Sequence, residues 1–193
     1  MRKWFLVLGL VSIALFLLFG CAKAQEADPA GAQESRSLIV YFSLTGNTEL
    51  VATQIQSLTG SDVFKLELVD PYSVEYDEVI SRSRQEREEG ILPELAQKIE
   101  DLDDFDVIFL GSPNWFGTLS LPIFAFIETH DLSGKTIVPF ITHGRGGLMN
   151  TITDLVELCP DAAVLEGFGV SRDDVETIQS DIEEWLNRVG ILE

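Results

Sequence analysis

The amino-acid sequence predicts an α/β fold in which helices cover both faces of one doubly wound, five-stranded parallel sheet. Short, continuous apolar segments recur along the chain, and such segments are typical of parallel strands that are buried on both faces. Segments with helical apolar spacing lie between them, which is the alternation that a parallel α/β sheet requires. The chain has 193 residues, 46% of them hydrophobic, which is enough for one compact domain with a full core.

Predicted strands and helices alternate along the chain. The strands are the apolar segments 38–42, 63–68, 106–110, 136–142 and 162–170. The second of these alternates apolar and polar residues, so we place it near an edge of the sheet. The helices cover 47–58, 121–129, 147–158 and 171–189.

Two local signals refine this order. Ser171 with Asp174 resembles the start of a capping box, and it predicts that the last helix begins at Ser171. The connection 71–94 is unusually long for an α/β fold. It predicts a partly helical excursion over the surface, indicated by Tyr72, Tyr76, Val79 and Ile80.

Residues 1–20 have the layout of a secretory signal. A positive start at Arg2 and Lys3 precedes an uncharged apolar segment that is shorter than the ~20 residues needed to span a bilayer. Cys21 follows directly, which resembles a bacterial lipobox, although Phe19 departs from the small or branched residue usual there. We expect cleavage before Cys21, lipidation of Cys21 and an outward-facing, membrane-anchored lipoprotein. The alternative is an uncleaved signal anchor.

The remaining chain divides into a tether and one domain. Residues 21–35 are rich in Ala, Gln, Glu and Gly and have no apolar period, so we expect a flexible tether. The folded domain is expected at 36–193. Within it Cys159 is the only cysteine, so an internal disulfide is excluded. Its apolar neighbours predict a core position.

The formal net charge of −19 is strongly acidic. Loss of Arg2 and Lys3 with the signal would remove two positive charges and bring the net charge to −21. Nucleic-acid binding needs a basic surface, so this composition excludes nucleic acid as a partner. Much of the excess charge is expected to keep the domain soluble.

A cluster of small polar residues follows the first strand, at the edge where open α/β sheets bind ligands. It supplies three hydroxyl groups, a glycine for a tight turn and an asparagine: Ser43, Thr45, Gly46, Asn47 and Thr48. Backbone N–H groups at a helix start favour an anion, so the cluster predicts a phosphate site. It has no lysine and is therefore not a Walker phosphate loop. The alternative is a plain turn with a helix cap.

Two further loops end predicted strands at the same edge. The segment GSPNWFGT at 111–118 contains adjacent aromatic residues, and the indole of Trp115 offers a flat face to a flat ligand. The segment THGRGG at 142–147 is rich in glycine, so its backbone can approach a ligand closely. The alternatives are that Trp115 caps the core and that His143 is structural.

With these loops the chain resembles the flavodoxin family. The resemblance is carried by SLTGNT after the first strand and GSPNWFGT after the third, and it extends over residues 37–189. It implies a flavodoxin-like sheet of strand order 2-1-3-4-5 and bound FMN. In that family the first loop holds the FMN phosphate, the second stacks an aromatic side chain on the flavin, and the third borders its pyrimidine end.

Transferred to this chain, the resemblance implies three groups of cofactor contacts. The phosphate would be held by Ser43, Leu44, Thr45, Gly46, Asn47 and Thr48. Trp115 would stack on the ring, with further side-chain or backbone contacts from Pro113, Asn114, Phe116 and Gly117. The other side of the ring would be lined by Thr142, His143, Gly144 and Gly147. No catalytic side chain and no metal site is predicted.

One feature departs from the family pattern. Many flavodoxins have a second aromatic residue in the third loop, whereas this loop has none, so either His143 takes that place or one ring face stays open. An open face would admit a hydride donor or a quinone, which favours reductase chemistry over simple electron transfer. The resemblance as a whole implies a redox protein that carries electrons through bound flavin, with a partner protein or a small molecule as donor or acceptor. The alternatives are an FMN-dependent NAD(P)H oxidoreductase acting on quinones or metals, and a flavin-free binding module.

Overall fold

The computed structural model describes residues 36–192, and these form the predicted α/β sheet. The strands are β1 (Ser37–Tyr41), β2 (Asp62–Lys65), β3 (Val107–Pro113), β4 (Thr136–His143), β5 (Ala163–Val164) and β6 (Phe168–Ser171). The helices are α1 (Asn47–Thr59), α2 (Tyr76–Glu89), α3 (Leu121–Thr129), α4 (Thr151–Leu158) and α5 (Gln179–Arg188), with a short 3₁₀ helix at Leu102–Asp104. The predicted signal, Cys21 and the tether lie outside the described residues.

The sheet is parallel throughout, with strand order β2-β1-β3-β4-β5 and with β6 also paired to β4. The predicted order 2-1-3-4-5 is thereby confirmed. In the register of the three inner strands, Tyr41 lies beside Gly111 and Gly111 lies beside Phe140. The loops that follow β1, β3 and β4 therefore leave the sheet at one edge.

Both faces of the sheet are buried, which explains the continuous apolar strands. Alternate residues of β1 point to opposite faces. Leu38 and Val40 belong to an apolar cluster with residues of α3 and α4, whereas Ile39 and Tyr41 belong to a second cluster with residues of α1 and α5. The second cluster contains Trp185, which is fully buried and donates its indole N–H to the carbonyl of Glu166 at 2.9 Å.

The predicted fifth strand is interrupted, and Pro139 supplies the reason. Leu165 donates its N–H to the carbonyl of Ile137 at 2.9 Å. In a parallel ladder the next bond to Leu165 would come from the N–H of residue 139, and proline has none. Pairing with β4 resumes at Phe140, which lies beside Phe168. The prediction of one strand over 162–170 is therefore corrected to two short strands.

Two predicted helices begin later than expected. Gly147 (φ 66°) and Met149 (φ 46°) have left-handed backbone, which excludes a right-handed helix there, so α4 begins at Thr151 and not at Gly147. Ser171 belongs to β6, and its hydroxyl accepts the N–H of Asp173 at 3.3 Å in a local turn. The predicted capping box at Ser171 is therefore wrong, and the last helix starts only at Gln179.

Three other expectations can be compared directly. The edge strand ends at Lys65, before the predicted 68. The excursion 71–94 contains α2, as predicted. Cys159 is 6% exposed, so its core position is confirmed, and burial raises the pKa of its thiol. Over residues 36–192 no helix is both long and apolar enough to cross a membrane.

Gly111 provides a test of the packing at the centre of the sheet. A Cβ added there would lie 2.8 Å from Cβ of Tyr41 and closer still to the ring of Phe140. We expect Gly111→Ala to lower the free energy of unfolding by about 1–3 kcal/mol, because overpacking displaces both neighbours. Thermal denaturation measures the loss. Gly144→Ala is the control, since an added Cβ there meets nothing within 4 Å; equal melting temperatures for both variants would contradict the prediction.

Candidate functional site

A cavity of about 530 Å³ lies at the edge of the sheet where β1, β3 and β4 end. All three predicted loops contribute to its lining. The contributing residues are Leu44, Thr45, Asn47, Thr48, Pro113, Asn114, Trp115, Phe116, Thr142, His143 and Gly144. Four residues of the predicted set, Ser43, Gly46, Gly117 and Gly147, do not line it.

The excursion between β2 and β3 also lines this cavity, and sequence reasoning did not assign it to the site. Its contribution consists of Val74, Tyr76, Val79, Ile80 and Arg84. Helical spacing of the apolar members was visible in the sequence, but nothing in the spacing indicated which part of the surface they cover. Tyr76 therefore adds an aromatic side chain that the third loop lacks. The remaining lining residue, Arg172, follows β6.

The loop after β1 exposes hydrogen-bond donors at the start of α1. Gly46 is the residue before the helix and has left-handed backbone (φ 88°), a conformation that favours glycine. Gly46 has no side chain to cap the helix, and Ser43 accepts only the N–H of Glu49, so the N–H groups of Asn47 and Thr48 have no acceptor among residues 36–192. Unpaired N–H groups at the start of a long helix are suited to an anion.

The three hydroxyl groups of this loop have different roles. Thr45 Oγ1 accepts a hydrogen bond from the side-chain amide of Asn47 at 3.0 Å, so the Thr45 hydroxyl proton is still available to a ligand. Ser43 Oγ accepts the N–H of Glu49 at 3.3 Å. Thr48 Oγ1 is buried and shares a hydrogen bond of 2.9 Å with Thr142 Oγ1. Of the three, Thr45 is the one best placed to donate to a ligand.

The loop after β3 is a tight hairpin turn with strained backbone. Trp115 and Thr118 exchange two backbone hydrogen bonds of 2.9 and 3.1 Å. The two central residues, Phe116 (φ 54°) and Gly117 (φ 86°), both have positive φ, as a type I′ turn requires. Phe116 is a bulky residue in left-handed backbone, and its side chain is nevertheless 47% exposed. The fold thus holds an aromatic ring at the rim of the cavity at a cost in backbone strain.

Trp115 both packs on the core and lines the cavity. Its ring meets Phe42 and Tyr72 edge-on, with centroid distances of 5.7 and 5.1 Å. Tyr72 is in turn fixed by a 2.5 Å hydrogen bond to Glu86 and by the guanidinium of Arg82 above its ring. Burial and the contact with Glu86 raise the pKa of Tyr72, so it stays protonated. Each of the two functions considered for Trp115 is thus compatible with its position.

One hydrogen bond within the loop after β3, and three more from it to the loop and helix that follow β4, fix this part of the site. Asn114 accepts the N–H of Gly117 at 3.0 Å and donates to the carbonyl of Gly147 at 2.8 Å. Asn150 donates its N–H to the carbonyl of Gly117 at 3.0 Å. Thr118 also donates to the carboxylate of Asp154 in α4. Gly117 is therefore engaged within the protein on both sides and shapes the turn.

His143 lines the cavity and has one unsatisfied polar atom. Its Nδ1 is buried from solvent and has no hydrogen-bond partner in the described part of the chain. A buried and unpaired ring nitrogen is uncommon and suggests a partner that completes the site. His143, the residues Asn47 and Thr48 at the start of α1, and the exposed Phe116 all line one cavity.

A larger cavity of about 730 Å³ lies elsewhere, between residues 90–98 and α3. None of its lining residues lies at the end of a strand. Both ring nitrogens of its His130 already have partners within the protein. Burial lowers the pKa of His130, so the ring is neutral at pH 7. We therefore assign the functional site to the smaller cavity. Residues 36–192 contain no group of three or more His, Cys, Asp or Glu side chains that could hold a metal.

Fold and site together define a class of protein. A doubly wound parallel sheet with a hydroxyl-rich loop after its first strand and an aromatic loop after its third is a flavodoxin-like arrangement. The sequence profile of the family described as flavodoxin matches residues 36–189. The chain therefore belongs to the flavodoxin family.

Solved structures agree with this assignment. A candidate flavoprotein from Bacteroides eggerthii DSM 20697 is 32% identical, with a TM-score of 0.72 over 80% of this chain and 98% of that one. A second, from Bacteroides uniformis ATCC 8492, is 27% identical, with a TM-score of 0.69 over 77% and 98%. A Lactobacillus acidophilus NCFM flavoprotein in complex with FMN is 22% identical, with a TM-score of 0.62 over 78% and 98%. No curated protein matches the chain.

The strain in the turn after β3 can be tested by replacing Phe116. Asn-Gly is the preferred sequence for a type I′ turn, so Phe116→Asn should relieve about 1–2 kcal/mol of strain. We expect the melting temperature to rise by about 2–4 °C per kcal/mol for a chain of this size. Val74→Asn is the control, because Val74 is 79% exposed at the same cavity and has no positive φ. A melting temperature that falls for Phe116→Asn would show that the turn is not strained.

Proposed function

We propose that the protein binds FMN in the 530 Å³ cavity and carries electrons through the bound flavin. One observation carries this proposal. Unpaired N–H groups at the start of α1 and the indole of Trp115, which packs edge-on against Tyr72, lie in the same cavity at the edge of a flavodoxin-family sheet. The first suits a phosphate and the second a flat ring. The FMN complex of the Lactobacillus acidophilus relative supports this choice of cofactor.

The phosphate end of the proposed site uses neutral donors. The N–H groups of Asn47 and Thr48 and the hydroxyl of Thr45 would bind the phosphate of FMN. Such charge-assisted hydrogen bonds contribute about 1.5–3 kcal/mol each. The bond between Thr48 and Thr142 holds α1 against the end of β4, so the donors keep their positions before the ligand arrives.

The ring end of the proposed site depends on orientation. Phe42 and Tyr72 hold the Trp115 indole edge-on, which fixes the plane of a ring stacked against it. The unpaired Nδ1 of His143 would gain a polar partner from the cofactor. Asn114 keeps the turn at Gly117 in shape through its two hydrogen bonds. When bound, the flavin supplies the electron-transfer chemistry, and these residues bind and orient it.

A second candidate function is an FMN-dependent NAD(P)H oxidoreductase acting on quinones or metals. The observation that favours it is the exposed ring of Phe116 at the mouth of the cavity, where a small flat molecule has access. An electron carrier that serves a protein partner does not require such access.

The absorption spectrum of the purified chain tests FMN binding. We expect the bands of oxidised flavin after FMN is added, and FMN should bind at least about tenfold more tightly than riboflavin, because only FMN has a phosphate for these donors. Thr45→Ala should weaken the binding of FMN by about tenfold and leave the affinity for riboflavin unchanged. Thr53→Ala, farther along α1, is the matched control, since its hydroxyl bonds only to the carbonyl of Glu49.

The outcomes of that experiment separate the alternatives. Absence of flavin bands in the presence of FMN would reject the proposal and favour a flavin-free binding module. Equal affinity for FMN and riboflavin would reject the phosphate site at α1. Oxidation of NADH or NADPH by the FMN-loaded protein, with a quinone as acceptor, would favour the reductase over the carrier.

We also propose that the protein is exported and anchored to a membrane through lipidated Cys21. The support is the sequence of residues 2–21, which lies outside the described residues. In a bacterial host, the wild-type chain should incorporate labelled palmitate and sediment with membranes. Cys21→Ala should lose the label, whereas Cys159→Ala should keep it. Labelling that persists in Cys21→Ala would contradict the proposal.

A further inference from the structure

The cavity differs in charge from the rest of the molecule. Asp and Glu outnumber Lys and Arg by 32 to 13 in the whole chain. Yet the seventeen residues that line the cavity include no Asp or Glu, while Arg84 and Arg172 are both among them. A cation at the mouth of a cleft concentrates its field there and favours negatively charged ligands.

Arg84 is positioned at the mouth without a carboxylate partner. No carboxylate lies within 4.0 Å of its guanidinium among residues 36–192, and the guanidinium carbon lies 6.0 Å from the centroid of the Phe116 ring. Arg82 on the same helix is different, since it pairs with Asp70 at 3.2 Å and Glu86 at 2.8 Å. Arg82 thus stabilises the excursion, whereas the charge of Arg84 is left for a ligand.

Arg172 adds a second positive charge at the end of the sheet. Its backbone N–H donates to the carbonyl of His143 at 2.8 Å, which places it beside the third loop. Its only carboxylate neighbour in the described chain is Asp173, at 3.8 Å, and both side chains are largely exposed. Such a pair contributes little, so Arg172 remains available.

We infer that this site exchanges electrons with a small molecule that has an anionic group, bound by Arg84 with support from Arg172. This inference rests on the proposed FMN binding, takes the second candidate function for the exchange with small molecules, and names the chemistry of that second ligand. The phosphate of FMN is assigned to the donors at α1, which belong to a different element from either arginine. The ring of Phe116, held exposed beside Arg84, provides the apolar surface for the flat part of such a molecule.

Calorimetric binding of two matched probes to the oxidised, FMN-loaded protein tests the inference without turnover. The probes are a naphthoquinone sulfonate and its uncharged hydroxymethyl analogue. We expect the sulfonate to bind about tenfold more tightly at low salt, and this advantage to shrink as ionic strength rises. Arg84→Gln should reduce sulfonate affinity by about three- to fivefold, and the double variant with Arg172→Gln by about tenfold. Affinity for the uncharged probe should not change.

Arg87→Gln is the matched control. Arg87 lies on the same helix and has the same charge, but it does not line the cavity, so its loss should leave sulfonate binding unchanged. Equal binding of both probes, undetectable binding of the sulfonate, or an equal loss in Arg87→Gln would overturn the inference. A parallel loss of FMN affinity in Arg84→Gln would overturn it as well, because the arginine would then serve the cofactor. Absence of flavin bands would reject the proposed function itself.

Discussion

The parallel register of β1, β3 and β4 is the constraint on which the site depends. It places Tyr41, Gly111 and Phe140 side by side, so three loops leave the sheet within reach of one another. Gly111 is part of this constraint, because a larger residue would collide with the ring of Phe140 and with Cβ of Tyr41. The hydroxyl bond between Thr48 and Thr142 then joins the start of α1 to the end of β4. Donors from one loop and aromatic rings from another thus share one cavity.

Backbone strain is concentrated beside this cavity. The only two non-glycine residues with positive φ in the described chain, Phe116 and Met149, are both largely exposed hydrophobic residues close to the site. Met149 packs over Gly117, where an added Cβ would lie 3.2 Å from its methyl group. Strained backbone persists only where the surroundings fix it, and here the bonds of Asn114 and Thr118 fix it. The two strained positions therefore lie together beside the candidate site.

Local patterns predicted the parallel sheet and the three loops that line the site, whereas the strand order and the individual contact residues came from the resemblance to the flavodoxin family. Continuous apolar strands, a hydroxyl-rich turn and an aromatic loop are each encoded within about ten residues. The boundaries that were predicted wrongly depend on a neighbouring strand or on backbone conformation, and hydrophobic spacing shows neither. Pro139 interrupts the fifth strand from the neighbouring β4, and the left-handed backbone at Met149 delays α4. The role of Tyr76 and Arg84 depends on where a long connection packs, and no spacing within that connection encodes its destination.

In the proposed site, neutral donors and charged donors would bind different ligands. A tightly held phosphate is best bound by groups that are already fixed, and backbone N–H groups at α1 need neither a long side chain nor a counter-ion. An anionic ligand that must bind and dissociate repeatedly benefits instead from exposed cations. They attract it from a distance, but solvent keeps the final ion pair weak. Arg84 and Arg172 are exposed in this way, whereas the donors at α1 are part of a helix. The chain as a whole is strongly acidic, so a lining with two arginines and no carboxylate is the part of the described cavity region that favours an anion.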